Sequence, residues 1–158
     1  IGNGIPTMHA ALTANLQVKN FDLSVTLRGS FDFQILNQYR MLWENFARGA
    51  DHNFPRSILR NKYNHYVATA PAYVSYYVED GDFVKIDNIT LGYTFRFKNP
   101  KNPIRTLRLY ASGLNLYTFT RYQGVDPEIN FNGLTPGVDY VAGYPTTRTF
   151  TFGVKLGF

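Results

Sequence analysis

Residues 147–158 read Thr147-Arg148-Thr149-Phe150-Thr151-Phe152-Gly153-Val154-Lys155-Leu156-Gly157-Phe158. Phe150, Phe152, Val154, Leu156 and Phe158 fall on one parity, and Thr147, Thr149, Thr151, Gly153 and Lys155 on the other. Successive side chains on a strand point to opposite faces, so this segment predicts a strand with one apolar and one polar face. The apolar side finishes on an aromatic with no polar tail, whereas the ends of most soluble domains fray into water. A ring at that place suits the rim of a membrane barrel, at the lipid–water boundary.

The same period recurs upstream. Residues 7–18 predict a first strand, with Leu12, Ala14, Leu16 and Val18 on one face. Lys19-Asn20 predicts a two-residue turn, because Asn tolerates the positive φ that tight hairpins need. Residues 21–35 predict a second strand. Phe21, Leu23, Val25, Leu27, Phe31, Phe33 and Ile35 alternate there with Asp22, Ser24, Thr26, Arg28, Ser30, Asp32 and Gln34. Residues 83–97 predict a third strand. Its halves are out of phase, and a bulge near Asp87 would reconcile them. Residues 105–119 predict a fourth strand with a parity slip near Gly113, and 147–158 the fifth. The alternation lapses in 36–80 and 120–146, which read as long loops; a helix is expected within 38–50.

The 158 residues include 12 Tyr and 13 Phe but one Trp, and aromatics make up 16% of the chain, a bias toward strands. No apolar run approaches the roughly 20 residues of a membrane helix. A negative mean hydropathy is compatible with a membrane barrel, whose strands meet lipid only at alternate residues. The absence of cysteine excludes disulfides and thiolate metal sites. The net charge of +5 is spread without a basic run, which argues against nucleic acid as a partner.

The connections alternate in length: short after the first and third strands, long after the second and fourth. Outer-membrane barrels connect their strands in this way, with short periplasmic turns and long outer loops. Five strands are an odd number with open edges, which hydrocarbon cannot solvate. The fold class expected is therefore all-β: an antiparallel transmembrane β-barrel, of which this chain supplies a C-terminal five-strand portion with long extracellular loops. Arg28, Arg96, Arg108 and Lys155 would face the lumen. Arg148, on the lipid-facing parity, would meet lipopolysaccharide phosphate or leave the wall into a loop.

Three stretches carry a resemblance: Tyr77 to Tyr93 (YVEDGDFVKIDNITLGY), Leu109 to Glu128 (LYASGLNLYTFTRYQGVDPE), and Tyr144-Pro145-Thr146-Thr147-Arg148 leading into the final strand. In that order they resemble the carboxyl end of SusC/RagA-type TonB-dependent outer-membrane transporters. The resemblance implies a barrel of about 22 strands with a plugged lumen. It implies a plug and TonB-contacting segment outside this chain, a SusD-like surface lipoprotein as lid, and import of oligosaccharides or peptides across the outer membrane of a Bacteroidetes-like bacterium. No cofactor and no covalent chemistry are implied. Thr151, Gly153, Leu156 and Phe158 also resemble the β-signal read by the barrel assembly machinery.

Among loop aromatics, Trp43, Tyr122 and Tyr140 are the candidate substrate contacts, with Phe46, Tyr73 and Tyr76 behind them. Such rings stack on ligands, pack loops together or meet a partner. Glu79, Asp80 and Asp82 offer hard oxygen ligands but match no complete cation loop. His9, His52 and His65 are scattered, and Asn88-Ile89-Thr90 is a glycosylation sequon placed mid-strand. No nucleophile motif surrounds any serine, so an enzyme is not expected. Two rivals remain: a soluble β-sandwich that binds carbohydrate, and a passive porin-type barrel.

Overall fold

The computed structural model describes residues 2–48, 53–60, 71–99, 103–129, 134–140 and 144–158. His52 and His65 lie outside them. Among the described residues, eight strands and one short helix run in the order β1 (Met8–Val18), β2 (Phe21–Phe31), β3 (Gln34–Asn37), α1 (Gln38–Trp43), β4 (Val78–Asp80), β5 (Phe83–Arg96), β6 (Thr106–Thr120), β7 (Val138–Asp139) and β8 (Thr149–Gly157). Short 3-10 turns cover Phe46–Arg48, Arg56–Arg60 and Ser75–Tyr77. The chain divides into two compact units. One, the loop unit, holds Ile1–Met8, Phe31–Asp82 and Thr120–Pro145; the other, the sheet unit, holds His9–Ser30, Phe83–Phe119 and Thr146–Phe158.

The sheet unit is a five-stranded sheet in the order β1-β2-β5-β6-β8. Phe21 opposes Tyr93, and the antiparallel register runs evenly to Thr26 opposite Asn88; Leu27 then opposes Ile86. Asp87 is therefore the bulge that the out-of-phase halves of β5 require, and it returns Ile86 to the apolar face. The positive φ of the first turn falls on Lys19, at 56°, rather than on Asn20. In β6 the pairing with β8 continues through Gly113 opposite Phe150 to Leu114 opposite Thr149. The irregularity comes at Asn115, with φ 53°, two residues past the expected place.

One face of this sheet is apolar and open. Leu12, Leu16, Phe21, Leu91, Phe95, Leu109, Phe150 and Val154 are all exposed, and Phe152 and Phe158 reach 81% and 83%. A sandwich would bury this face under a second sheet. The aromatics form an edge-to-face ladder, with ring centroids 4.5 Å apart for Phe21–Tyr93 and 4.6 Å for Tyr93–Phe95. Among the described residues no strand pairs with the outer edges of β1 and β8.

The opposite face carries polar side chains joined across strands. Arg28 Nε donates to Asp87 Oδ1 at 2.8 Å. Arg108 Nε donates to Asp22 Oδ1 at 3.0 Å, reaching from β6 past β5 to β2. Gly92 makes that reach possible, since a Cβ there would lie 2.6 Å from both Arg108 Nη2 and the Asp22 carboxylate. The hydroxyls of Thr90 and Ser112 are 2.9 Å apart, and Thr13 and Thr26 3.2 Å.

Most of the buried apolar residues are in the loop unit: Phe33, Ile35, Met41, Ile58, Tyr77 and Tyr122. Strand β2 ends at Phe31, short of the expected Ile35, because Asp32 takes φ 59° and breaks the pairing. The chain resumes as β3, in a small sheet of order β4-β3-β7. Leu36 opposes Val78 antiparallel and Val138 in parallel. Residues 36–80 thus contain more structure than a plain loop, and the helix expected within 38–50 is confined to Gln38–Trp43 before the 3-10 turn.

Candidate functional site

The polar centre of the loop unit starts at the end of β3. Asn37 accepts a hydrogen bond from the Arg40 amide at 2.9 Å and so caps α1. One turn places Arg40 and Glu44 on the same helical face, and Arg40 donates from Nε at 2.8 Å and from Nη2 at 3.1 Å. Arg40 Nη1 reaches Glu79 Oε1 on β4 at 2.5 Å, and Nη2 reaches the Tyr76 hydroxyl at 3.0 Å. Glu79 also accepts from Asn37 Nδ2 at 3.2 Å and from the Gln123 amide at 2.8 Å. Segments 37–44, 76–79 and 123 are thereby joined around one buried guanidinium. Burial alone would lower the pKa of Arg40, but its bonds to Glu44 and Glu79 outweigh that and raise it, so the charge is permanent.

Beside this centre, Tyr122 is buried and its hydroxyl donates to Asp139 Oδ2. Burial, aided by the Asp139 bond, pushes the Tyr122 phenol well up. Burial also raises the Asp139 carboxyl; the Tyr122 bond opposes this, and the charges of Asp126 and Glu79 reinforce it. The Tyr122 ring lies over Gly124, where a Cβ would come within 2.2 Å of it. Next to this pair is a cleft of about 250 Å³ lined by Val125, Asp126, Glu128, Ile129, Val138, Asp139, Tyr140, Tyr144 and Pro145.

The three candidate aromatics are not brought together. Tyr140 lines the cleft, half exposed, with its hydroxyl 2.6 Å from that of Thr135. Tyr122 is buried beneath, holding the loop through Asp139. Trp43 ends α1, stacked at 33° on Tyr39 with centroids 5.7 Å apart, and does not line the cleft. The acidic run is absorbed by protein donors. Glu79 serves Arg40, while Asp80 accepts from the Asp82 amide at 3.1 Å and Asp82 from the Asp32 amide at 2.7 Å. Among the described residues no cluster could hold a metal ion. Arg40 and Glu44 carry no sequence motif; their spacing of four within an expected helix is the signal that joins them.

On β8, Thr151 opposes Ser112, Gly153 opposes Tyr110 and Leu156 opposes Leu107. The Tyr110 ring lies over Gly153. Phe158 follows the last strand residue, and Arg148 precedes the first.

No protein-family model matches the chain. It is 32% identical to TonB-dependent receptor P3 of Formosa agariphila, over 100% of the chain and 17% of that receptor. It is also 32% identical to TonB-dependent receptor SusC of Bacteroides thetaiotaomicron, over 93% of the chain and 15% of the receptor. The chain thus spans about a sixth of the length of these relatives. Its fold matches a chain of the RagAB peptide importer in the closed-closed state with a TM-score of 0.84 at 21% identity, covering 98% of this chain and 18% of that one.

Proposed function

Since the chain belongs to the SusC/RagA-type TonB-dependent receptors, of which it spans a part, we propose that it forms five wall strands and two outer loops at the C-terminal side of an outer-membrane nutrient importer. The observation that carries this reading is the sheet with an open apolar face, a charge-paired polar face and two edges unpaired among the described residues. Lipid solvates the first and a water-filled lumen the second, and neighbouring strands of a barrel of about 22 would complete the edges.

The loop unit then contributes to the outer side of the transporter. Tyr140 and the cleft beside it are the ligand-facing part, for an oligosaccharide or a peptide. Tyr122 positions that cleft, and Trp43 contacts ligand or partner elsewhere on the unit. A SusD-like lipoprotein closes over these loops, and TonB acts through a plug in the part of the receptor that this chain does not span. Thr151, Gly153, Leu156 and Phe158 present the closing strand to the barrel assembly machinery, and Arg148 lies toward lipopolysaccharide. Import under this reading involves no covalent step and no cofactor.

Membrane fractionation of the full-length protein tests the core of the proposal. The expected result is recovery in the outer membrane and faster gel migration before heating than after. Extraction into buffer without detergent would sink it. Tyr140→Ala in the same protein should weaken uptake of the transported ligand while leaving assembly intact.

A further inference from the structure

The cations of the sheet unit are dispersed in sequence, but the fold gathers several at one end. The unit contains two acidic residues, Asp22 and Asp87, and both are held by arginines of the polar face. At the end with the short turns, Lys19 sits in the β1–β2 turn, Lys98 follows β5 and Arg105 precedes β6. Residues 19–21, 93–99, 103–107 and 155–158 contain no Asp or Glu. Lys19, Lys98 and Arg105 take part in no ion pair among the described residues.

Register places these charges among rings. The Thr94 amide donates to Asn20 O at 2.9 Å, which sets Lys19 level with Phe95. The Phe97 amide donates to Arg105 O at 2.9 Å, and the Arg105 amide to Gly157 O at 2.8 Å. With Thr106 opposite Gly157, Arg105 is set by register level with Phe158 on one side and Phe97 on the other. It shares its parity with Leu107 and Leu109, so it belongs to the apolar face at its very end. Phe95, Phe97 and Phe158 are all exposed. Aromatic rings with cations just beyond an apolar band match the chemistry of a lipid–water interface, where rings sit at headgroup depth and cations meet anionic headgroups.

We propose that this end of the sheet seats anionic phospholipid headgroups, with Lys19, Lys98 and Arg105 on the phosphates and Phe95, Phe97 and Phe158 at the acyl boundary. The proposal rests on the membrane-barrel reading above. It commits to phospholipid because short turns lie on the periplasmic side of such barrels, away from lipopolysaccharide.

The test is native mass spectrometry of the full-length protein in detergent, with phosphatidylglycerol or phosphatidylcholine of identical chains added. Phosphatidylglycerol should be retained preferentially, less so as salt rises, and each of Lys19→Gln, Lys98→Gln and Arg105→Gln should weaken retention about fivefold. Equal retention of the two lipids overturns the proposal, as does a triple variant that keeps the parent's preference, or a preference for lipid A. Heat-modifiable gel migration shows whether the triple variant has folded; if it has not, the single variants and the salt dependence of the parent decide. A parent protein that fails to fractionate with membranes refutes the barrel instead, whereas one that does so without lipid preference refutes only this seat.

Discussion

Replacing Arg40 by Met should release the loop unit while sparing the sheet. The substitution keeps a long unbranched side chain but removes the charge that Glu44 and Glu79 share. Glu44 is fully buried and would lose its bonds from Arg40, at 2.8 and 3.1 Å. Glu79 would lose its 2.5 Å bond and keep those from Asn37 and Gln123. Removing one partner of a buried ion pair costs about 3–5 kcal/mol. The raised Arg40 pKa keeps the guanidinium charged throughout the working pH range.

Hydrogen exchange followed by mass spectrometry on the full-length protein reads this directly. Local opening that becomes easier by that amount speeds exchange by roughly two to four orders of magnitude, up to the limit of full exposure. The acceleration should appear together in peptides covering 34–44, 78–82 and 121–124, with β5 and β6 unchanged. Glu79→Gln should be milder, since an amide oxygen still accepts from the Gln123 amide. If Arg40→Met accelerates its own helix but leaves the peptide with Gln123 as protected as before, the three segments are not held through this guanidinium and the reasoning fails.

Three further outcomes follow from the same geometry. The carboxyl of Asp139 is raised above 3.8, so its contribution is complete below that value and is lost as pH rises through its elevated folded value; limited proteolysis of the 120–145 loop should slow on mild acidification, and Asp139→Asn should abolish that dependence. Gly124→Ala sets a methyl 2.2 Å from the Tyr122 ring, so it should displace the ring and loosen the loop by about 1–3 kcal/mol, seen as faster proteolysis at the same site. Phe152→Arg on the apolar face should cost up to about 2–4 kcal/mol of barrel stability, measured by urea unfolding in lipid vesicles, whereas Thr151→Arg on the polar face should cost far less.

On the membrane-barrel reading, the wall strands are legible in the sequence because their environment is simple. A strand between lipid and water has one apolar and one polar face, so Phe150 through Phe158 and Phe21 through Leu27 show their register directly, and the phase change around Asp87 betrays the bulge. The loop unit has no such two-sided solvent. Phe33 and Ile35 continue the alternation of β2, yet belong to the loop unit, Ile35 in the strand β3 of another sheet, because of one left-handed residue, Asp32, which periodicity does not reveal. Its polar centre brings together residues 40, 79 and 123, whose pairing depends on how the loops close. Glu79 stands in an acidic run that matches no complete cation loop, and the cation it meets is Arg40.

On the membrane-barrel reading, the two units owe their order to opposite solvents. In the loop unit, apolar side chains are buried against one another and the Arg40–Glu44–Glu79 cluster is desolvated within protein, so its stability is that of a water-soluble body. In the sheet unit, large apolar side chains such as Phe150, Phe152 and Val154 remain exposed, and hydrophobic burial within the chain supplies little. What fixes the sheet is its backbone ladder, which has no competing water once hydrocarbon surrounds it, and the pairs Arg28–Asp87 and Asp22–Arg108 on the other face. The same sheet placed in water would present an apolar surface beside two open edges, the combination that drives strand-to-strand aggregation. The exposed aromatics of β8 are therefore stabilising only once lipid covers them and a further strand occupies that edge.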